Sequence, residues 1–163
     1  MGYPFMKFLN EDAGGMKAGK QLKACIPGGA SAPILLPSEL ETLTLDFEAL
    51  AGAGSMLGSG AVMIIDQEQD MSQLLKVVTD FFAHESCGQC TPCREGTGWL
   101  ANIMSGVEQR SAAKGDVDRM YTSAWIMGVR TSCALSDAAA MPTMSIVKKF
   151  GDEIKAKLQE RRA

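Results

Sequence analysis

The sequence predicts an α+β fold in which a small sheet-containing domain precedes an all-α helical bundle. The first 68 residues are rich in Gly and Pro and contain only short apolar runs, whereas helical spacing of apolar residues dominates the rest. Three cysteines within seven residues mark the second part and predict a metal or iron–sulfur site there. We therefore expect two domains, 1–68 and 69–163, joined around 67–70.

Composition and charge argue against several classes of protein. The 163 residues carry 16 basic and 19 acidic side chains, and a formal net charge of −3 disfavours a strongly electropositive nucleic-acid binder. No run of about 18 apolar residues occurs, so we expect no direct insertion into a membrane. Five cysteines without a recognisable secretory signal indicate a reducing compartment, where thiols serve as ligands or stay free.

One or two short helices are predicted in the first domain. Pro4 suits the first position of a helix, and apolar residues at positions 5, 8 and 9 continue that helix until Gly14-Gly15. Asp46 is a residue type that caps helices by accepting hydrogen bonds from free N–H groups, so a second short helix is expected through Leu50.

Strands are predicted on both sides of the second helix. Alternation of apolar and polar residues over 20–26 is typical of a strand, and the apolar run 61–65 has the length of a buried strand. The run 33–37 begins and ends with Pro, which favours an edge strand or an extended loop. The first domain should therefore contain one small mixed sheet.

Four helical stretches are predicted in the second domain. The first is capped by Asp70, the second begins at the cysteine group, the third begins at Gly115-Asp116 and the fourth begins at Ser136 or Asp137. Pro142 is expected to restart the fourth stretch, and 155–162 to form a charged, fraying end. The predicted apolar face of the first stretch is Met71, Leu74, Leu75, Val78 and Phe82, and that of the second is Trp99, Leu100, Ile103, Met104 and Val107. The predicted face of the third stretch is Val117, Met120, Tyr121 and Ala124, and that of the fourth is Ile146, Val147, Phe150 and Ile154.

The spacing of Cys87, Cys90 and Cys93 is the most informative pattern in the chain. Two residues between successive thiols let all three turn toward a common centre, where they can take three corners of a four-iron cluster. The candidate for the fourth corner is Cys133, which lies in the break between the third and fourth helical stretches. A helix after Cys93 would direct free N–H groups at an anionic cluster, which is favourable.

Other interpretations of the cysteines remain open from spacing alone. Zinc is the main alternative, although structural zinc sites usually combine two separated pairs of ligands. A redox CxxC motif or unliganded thiols are further alternatives. Cys25 lies in a predicted strand and is interpreted as a small buried hydrophobe. His84, the single histidine, is interpreted as a helix C-terminal residue and not as a ligand.

The glycine-rich stretch 51–60 is not interpreted as a nucleotide site. A dinucleotide-binding fingerprint follows a strand and opens a helix, whereas here a predicted helix precedes the glycines and a predicted strand follows them. A connecting loop is the better account. No residues are assigned a catalytic role, because no paired carboxylates or nucleophile set stand out and one histidine leaves little room for acid–base catalysis.

At the cysteines the sequence resembles a known family. Residues 85–96 resemble the ESCGxCxPCRxG signature of the flavin-bearing, NADH-binding F subunit of NADH:quinone oxidoreductase, respiratory complex I, and 133–139 resemble its CALGDAA segment. Residues 54–66 are similar to the strand before the cluster domain of that family. Residues 13–16 and 26–29 resemble its β-grasp-like, soluble-ligand-binding domain, so the resemblance covers essentially the whole chain.

The resemblance implies a cofactor, a function and partners. Cys87, Cys90, Cys93 and Cys133 would hold one [4Fe–4S] cluster that accepts electrons from reduced flavin. The cluster would pass them to a thioredoxin-like [2Fe–2S] subunit and a large multi-cluster iron–sulfur subunit of the peripheral arm. In the family, FMN and NADH bind to an upstream domain. The implied location is cytoplasmic, peripheral to the inner face of the cell membrane within the complex.

Two departures from the family pattern qualify these expectations. The long flavin- and NADH-binding domain is absent from the sequence, so we expect a C-terminal fragment or a split-gene product that does not oxidise NADH alone. Ser136 stands where the family usually has Gly, and a positive φ there would strain it. Subunits of NAD-reducing hydrogenases and NAD-linked formate dehydrogenases share the signature and are an alternative assignment.

Overall fold

The structure is a computed structural model that describes residues 1–158. The chain forms two compact units, the first spanning Met1–Gln69 and the second beginning at Asp70. All four strands of the described chain lie in the first unit, and four long helices make up most of the second. Over the described residues, no helix combines the length and the apolar character that crossing a membrane requires.

The strands of the first unit are short and form two separate sheets. They are β1 (Tyr3–Pro4), β2 (Leu22–Ile26), β3 (Thr44–Leu45) and β4 (Met63–Asp66). β1 pairs with β3 and β2 pairs with β4, both antiparallel. The strands predicted at 20–26 and 61–65 are confirmed. The prediction of one mixed sheet is wrong, because the described strands form two antiparallel pairs.

Residues 33–37, which lie between β2 and β3 in the chain, contribute one isolated β-bridge. Leu35 exchanges backbone hydrogen bonds with Cys25, at 2.8 and 2.9 Å, beside β2. Pro33 and Pro37 flank this bridge and have no N–H to donate, so the pairing does not extend into a strand. This outcome agrees with the expected extended segment at 33–37.

Three helical segments cover the core of the first unit. They are α1 (Phe5–Lys7), which continues as a π-helical turn over Phe8–Asp12, α2 (Pro37–Leu40) and α3 (Phe47–Gly52). Asp46 caps α3 as predicted, because its carboxylate accepts the Ala49 N–H at 2.7 Å. Pro4 precedes α1 as its N-cap and is not the first helical residue. Their apolar sides enclose a buried cluster of Phe5, Leu9, Cys25, Leu35, Leu40, Leu43 and Leu50.

The glycine-rich stretch 51–60 is a loop from the end of α3 toward β4, as predicted. Gly54, Gly58 and Gly60 have positive φ, which L side chains rarely adopt. Gly58 also lies against the backbone of Gly28, where a Cβ on either residue would collide with main-chain atoms of the other segment. The glycines are therefore explained by backbone geometry within the first unit.

The second unit consists of four helices. They are α4 (Met71–Glu85), α5 (Thr91–Glu108), α6 (Lys114–Met127) and α7 (Leu135–Ala156). α4 packs on α5 and α7, and α6 packs on α5 and α7. Asp70 caps α4 as predicted, because its carboxylate accepts the Ser72 N–H at 2.9 Å. Most of the predicted apolar faces are buried in this bundle.

Three details of the predicted helices are wrong. Trp99 and Tyr121 are 56% and 38% exposed. Each is next in sequence to a fully buried residue. Because successive residues of an α-helix are rotated by about 100° around its axis, the side chain points away from the core. Pro142 does not restart a helix but is buried inside the continuous α7. Pro142 lies among the buried residues of α7, which include Ala139, Ala140 and Thr143, so the helix continues through it although it has no N–H to donate. Of the predicted charged end at 155–162, residues 155–156 are still helical, and residues 159–162 lie outside the described residues.

Candidate iron–sulfur site

Two connections between helices, together with the first turn of α5, carry the four predicted ligands. Cys87 and Cys90 lie in the connection between α4 and α5, and Cys93 lies in the first turn of α5. Cys133 lies in the connection between α6 and α7. Since α5 and α6 pack on each other, the chain that leaves the first three cysteines returns to them with the fourth.

All four cysteines border one cavity of about 130 Å³. Since a water occupies about 30 Å³ in the liquid, the cavity has room for a body of several atoms. Among the described residues, no three His, Cys, Asp or Glu side chains converge closely enough to hold a single metal ion. Cysteine thiolates are the usual ligands of iron–sulfur clusters, so the donor set that borders this space suits such a cluster. The lining is Glu85, Cys87, Gln89, Cys90, Cys93, Thr131, Cys133 and Leu135.

The four thiols differ in exposure. Cys93 is buried, with 6% of its surface exposed, and Cys90 is half-buried. Cys87 and Cys133 are exposed. The site therefore has a closed side at Cys93, in the first turn of α5, and an open side formed by one residue from each loop.

The loop before α5 is held in a tight turn by local contacts. Gly88 has a φ of +78°, so this position favours glycine. The Arg94 Nη1 donates a hydrogen bond to the Gly88 carbonyl at 2.8 Å, which ties the turn to the helix that follows. Pro92 is in the first turn of α5, where its missing N–H removes no intrahelical bond. These contacts keep the thiols of Cys87 and Cys90 beside the start of the helix.

Two serines contact cysteine sulfurs, and neither was identified from the sequence. The Ser132 N–H donates to the Cys90 sulfur at 3.4 Å, and its hydroxyl lies 3.6 Å from the same sulfur. Both hydrogen bonds favour the thiolate and lower the pKa of Cys90 below its usual value. The Ser86 hydroxyl lies 3.4 Å from the Cys93 sulfur.

The signal for these serines was present as a repeated dipeptide. Ser86 precedes Cys87, and Ser132 precedes Cys133. Each hydroxyl contacts a more distant cysteine and not its neighbour in sequence, as the distances to Cys93 and Cys90 show. Sequence proximity therefore gave no indication of which sulfur each serine approaches.

The loop that carries Cys133 is braced from α7. The Thr131 hydroxyl lies 2.9 Å from the Cys133 carbonyl, to which it donates, and also hydrogen-bonds with the Ser136 hydroxyl. The Val129 N–H donates to the Asp137 carboxylate at 2.7 Å. Ser136 is fully buried within α7 and does not have a positive φ, so the strain considered for this position is absent.

The two other candidate ligands lie outside the cavity lining. Cys25 is fully buried in the first unit, and burial raises the pKa of its thiol to about 12. Its interpretation as a buried hydrophobe is confirmed. His84 is in the last turn of α4 with an exposed side chain, and its Nδ1 lies 3.0 Å from the Glu85 carboxylate. It is a helix C-terminal residue, as predicted.

Comparison with known proteins identifies relatives over almost the whole chain. Residues 73–157 match the family described as the NADH-ubiquinone oxidoreductase-F iron-sulfur binding region. The F subunit of NADH-quinone oxidoreductase in Rickettsia bellii is 41% identical over 160 residues, which cover 98% of this chain and 38% of that protein. The F 2 subunit of NADH-quinone oxidoreductase in Rhizobium meliloti is 41% identical over 162 residues. The chain spans about 38% of the length of these curated relatives.

The fold is similar to that of a solved hydrogenase. A crystal structure of an NAD+-reducing [NiFe]-hydrogenase in the H2-reduced state superimposes with a TM-score of 0.75 and 28% identity. The match covers 87% of this chain and 24% of the hydrogenase chain. The air-oxidized state of an NAD+-reducing [NiFe]-hydrogenase gives the same score over 85% of this chain.

Proposed function

The chain belongs to the NADH-ubiquinone oxidoreductase-F iron-sulfur binding family, and from this premise we propose that it relays electrons through one [4Fe–4S] cluster. The family resemblance stated from the cysteine signature is thereby confirmed. The observation that carries the proposal is the cavity bordered by four cysteines from two connections of the bundle and the first turn of α5. When bound, such a cluster takes up and releases one electron at a time.

We assign Cys87, Cys90, Cys93 and Cys133 as the ligands. Four thiols satisfy the four irons of a cubane, and the helix N-terminus beside Cys90 and Cys93 favours an anionic group. The volume of about 130 Å³ supports a multi-atom cluster over a single zinc ion, whose ligands would converge to about 2.3 Å from one centre.

Within a larger assembly, the electron donor would be FMN reduced by NADH, bound to an upstream domain. The acceptors would be a thioredoxin-like [2Fe–2S] subunit and a large multi-cluster iron–sulfur subunit, at the inner face of the membrane. The exposed side of the site at Cys87 and Cys133 supports electron exchange with such partners. In this assignment, the first unit is a β-grasp-like domain of the soluble-ligand-binding type.

A role in an NAD-linked hydrogenase is the second candidate, supported by the TM-score of 0.75. Sequence identity favours assignment to the quinone-reducing enzyme over the hydrogenase. The chain is 41% identical to the Rickettsia bellii relative over 98% of its length and 28% identical to the hydrogenase over 87%. We therefore retain NADH:quinone oxidoreductase as the main assignment.

Low-temperature EPR of the anaerobically purified and dithionite-reduced chain tests the proposal, together with iron and acid-labile sulfide analysis. We expect the signal of a single [4Fe–4S] cluster and about four irons per chain. Stoichiometric zinc in protein from iron-replete cells would instead support a zinc-stabilised docking module. If anaerobic reconstitution yields neither iron nor sulfide, the electron-relay proposal is wrong.

A further inference from the structure

Ser86 is positioned to hydrogen-bond the most buried sulfur of the site. It lies at the C-cap of α4, directly after Glu85, and is half-buried. Its hydroxyl is 3.4 Å from the sulfur of Cys93, seven residues ahead in the first turn of α5. The contact therefore links the end of one helix to the beginning of the next, across the loop that carries the other two cysteines.

A second contact favours the Ser86 hydroxyl as the donor to this sulfur. The Gly88 N–H lies 3.4 Å from the Ser86 oxygen and donates to it. A hydroxyl has one proton to give and lone pairs to accept with, so occupying a lone pair with Gly88 leaves the proton for another acceptor. The Cys93 sulfur is the acceptor within reach, and as a metal ligand it is a thiolate that can only accept.

Burial strengthens this interaction relative to the one made by the other serine. Cys93 is 6% exposed, so little water competes for its sulfur, and electrostatic interactions are stronger where water is excluded. Ser132 is exposed, and its N–H as well as its hydroxyl approaches the Cys90 sulfur. Because the N–H of Ser132 stays in place when its hydroxyl is removed, the Cys90 sulfur would keep one of these two contacts.

We propose that Ser86 is a positioning residue whose hydroxyl raises the reduction potential of the cluster through the Cys93 sulfur. The inference rests on the proposed function and adds a determinant of potential to it. One-electron reduction by dithionite adds negative charge to the cluster and its thiolates without making or breaking a bond. A hydrogen bond donated to a thiolate therefore stabilises the reduced form more than the oxidised form.

The test is an EPR-monitored redox titration of the full chain with its cluster assembled, comparing Ser86→Ala with the unsubstituted protein. We expect a midpoint potential about 59 mV more negative, which corresponds to a tenfold loss in the one-electron equilibrium constant. Ser86→Thr retains a hydroxyl and should retain the potential. Ser132→Ala should shift it less than Ser86→Ala.

Ser105→Ala is the matched control on α5, because the Ser105 hydroxyl donates to the Ala101 carbonyl and is not part of the cavity lining. If Ser86→Ala does not hold the cluster, Ser86→Val takes its place, because it differs from Ser86→Thr by a methyl group where the hydroxyl stands. A valine variant with the same potential as the threonine variant would overturn the inference. An unchanged potential in a loaded Ser86→Ala protein overturns the inference and leaves the relay function intact. Equal effects of the alanine and threonine variants also overturn it. Absence of iron from the unsubstituted chain instead refutes the proposed function on which the inference rests.

Discussion

The five cysteine side chains have the same chemistry but different surroundings. Four border one cavity at the ends of helices, and the fifth is enclosed by the apolar core of the first unit. The pKa of Cys25 is raised to about 12 by burial, while hydrogen bonds from Ser132 lower that of Cys90. A metal ligand must be a thiolate, so the surroundings of Cys90 favour ligation and those of Cys25 oppose it.

Serine substitution of single cysteines tests this distinction. Cys87→Ser, Cys90→Ser, Cys93→Ser and Cys133→Ser should each lower the iron content from about four per chain to a small fraction of that value. Cys25→Ser should keep the iron, although burying a hydroxyl at this site should cost about 1–3 kcal/mol of stability. Iron, sulfide and thermal unfolding are measured on all five variants. Equal iron loss in all five would contradict the ligand assignment.

The buried thiol of Cys25 also predicts a pH dependence of stability. Between its ordinary pKa of 9.0 and its folded pKa of about 12, the folded chain keeps a proton that the unfolded chain releases. The free energy of unfolding should therefore fall as pH rises through this window, by at most about 1.4 kcal/mol per pH unit.

Urea unfolding at about pH 8 and about pH 10, with Cys25→Ala as the reference, measures this contribution. The variant lacks the buried thiol, whereas all other titrating groups are common to both chains. The difference in stability between the two chains should shrink at the higher pH. A difference independent of pH would mean that the Cys25 thiol ionises equally in the folded and unfolded chains.

At the scale of elements, the close approach of α5 and α6 returns Cys133 to the other cysteines. Gly96, in the second turn of α5, is buried at this contact. A Cβ at Gly96 would lie 3.0 Å from the sulfur and 3.2 Å from the Cβ of Met127, at the end of α6. A Cβ at Gly98, on the same helix, would meet no atom within 4 Å apart from its chain neighbours and the backbone of its own helix.

This pair of glycines provides a matched test of helix packing. Gly96→Val should be less stable than Gly98→Val by about 1–3 kcal/mol, because only the first overpacks the interface with α6. Both substitutions place the same side chain in the same helix, so the effects of helix propensity largely cancel. Urea unfolding monitored by Trp fluorescence measures the difference. Equal stability of the two variants would show that α6 yields to the added side chain without cost.

At the scale of the whole molecule, the candidate site belongs to one unit. The four cysteines, the two serines and the bracing contacts from α7 all lie beyond Asp70. Asp70 itself belongs to this unit, since it caps α4 and also pairs with Lys157 at the end of α7. The first unit has its own core and contributes no residue to the cavity.

We therefore expect residues 70–163 to bind the cluster without residues 1–69. The shortened chain keeps the cap of α4 and every proposed ligand, so anaerobic reconstitution should give the same EPR signal and about four irons per chain. Residues 1–69 alone should bind none. A shortened chain that is helical by circular dichroism yet holds no iron would show that the site depends on the first unit.

Local rules were sufficient for much of the structure. The caps at Asp46 and Asp70, the strand 20–26 and the start of a helix within the cysteine group depend on neighbouring residues, and the structure agrees with each. The spacing of the first three cysteines is likewise a local feature. Patterns along the chain were therefore enough to predict the four helices of the second unit, the strands at 20–26 and 61–65 and the candidate ligands. They did not predict β1, β3 or α2.

Other features depend on packing between residues that are far apart in the chain. The two antiparallel sheets, the outward direction of Trp99 and the interior place of Pro142 follow from packing partners. The contact from Ser132 to Cys90 spans 42 residues and follows from the packing of α5 on α6. Hydrogen bonding and burial depend on distances in space, which periodicity and spacing along the chain do not encode.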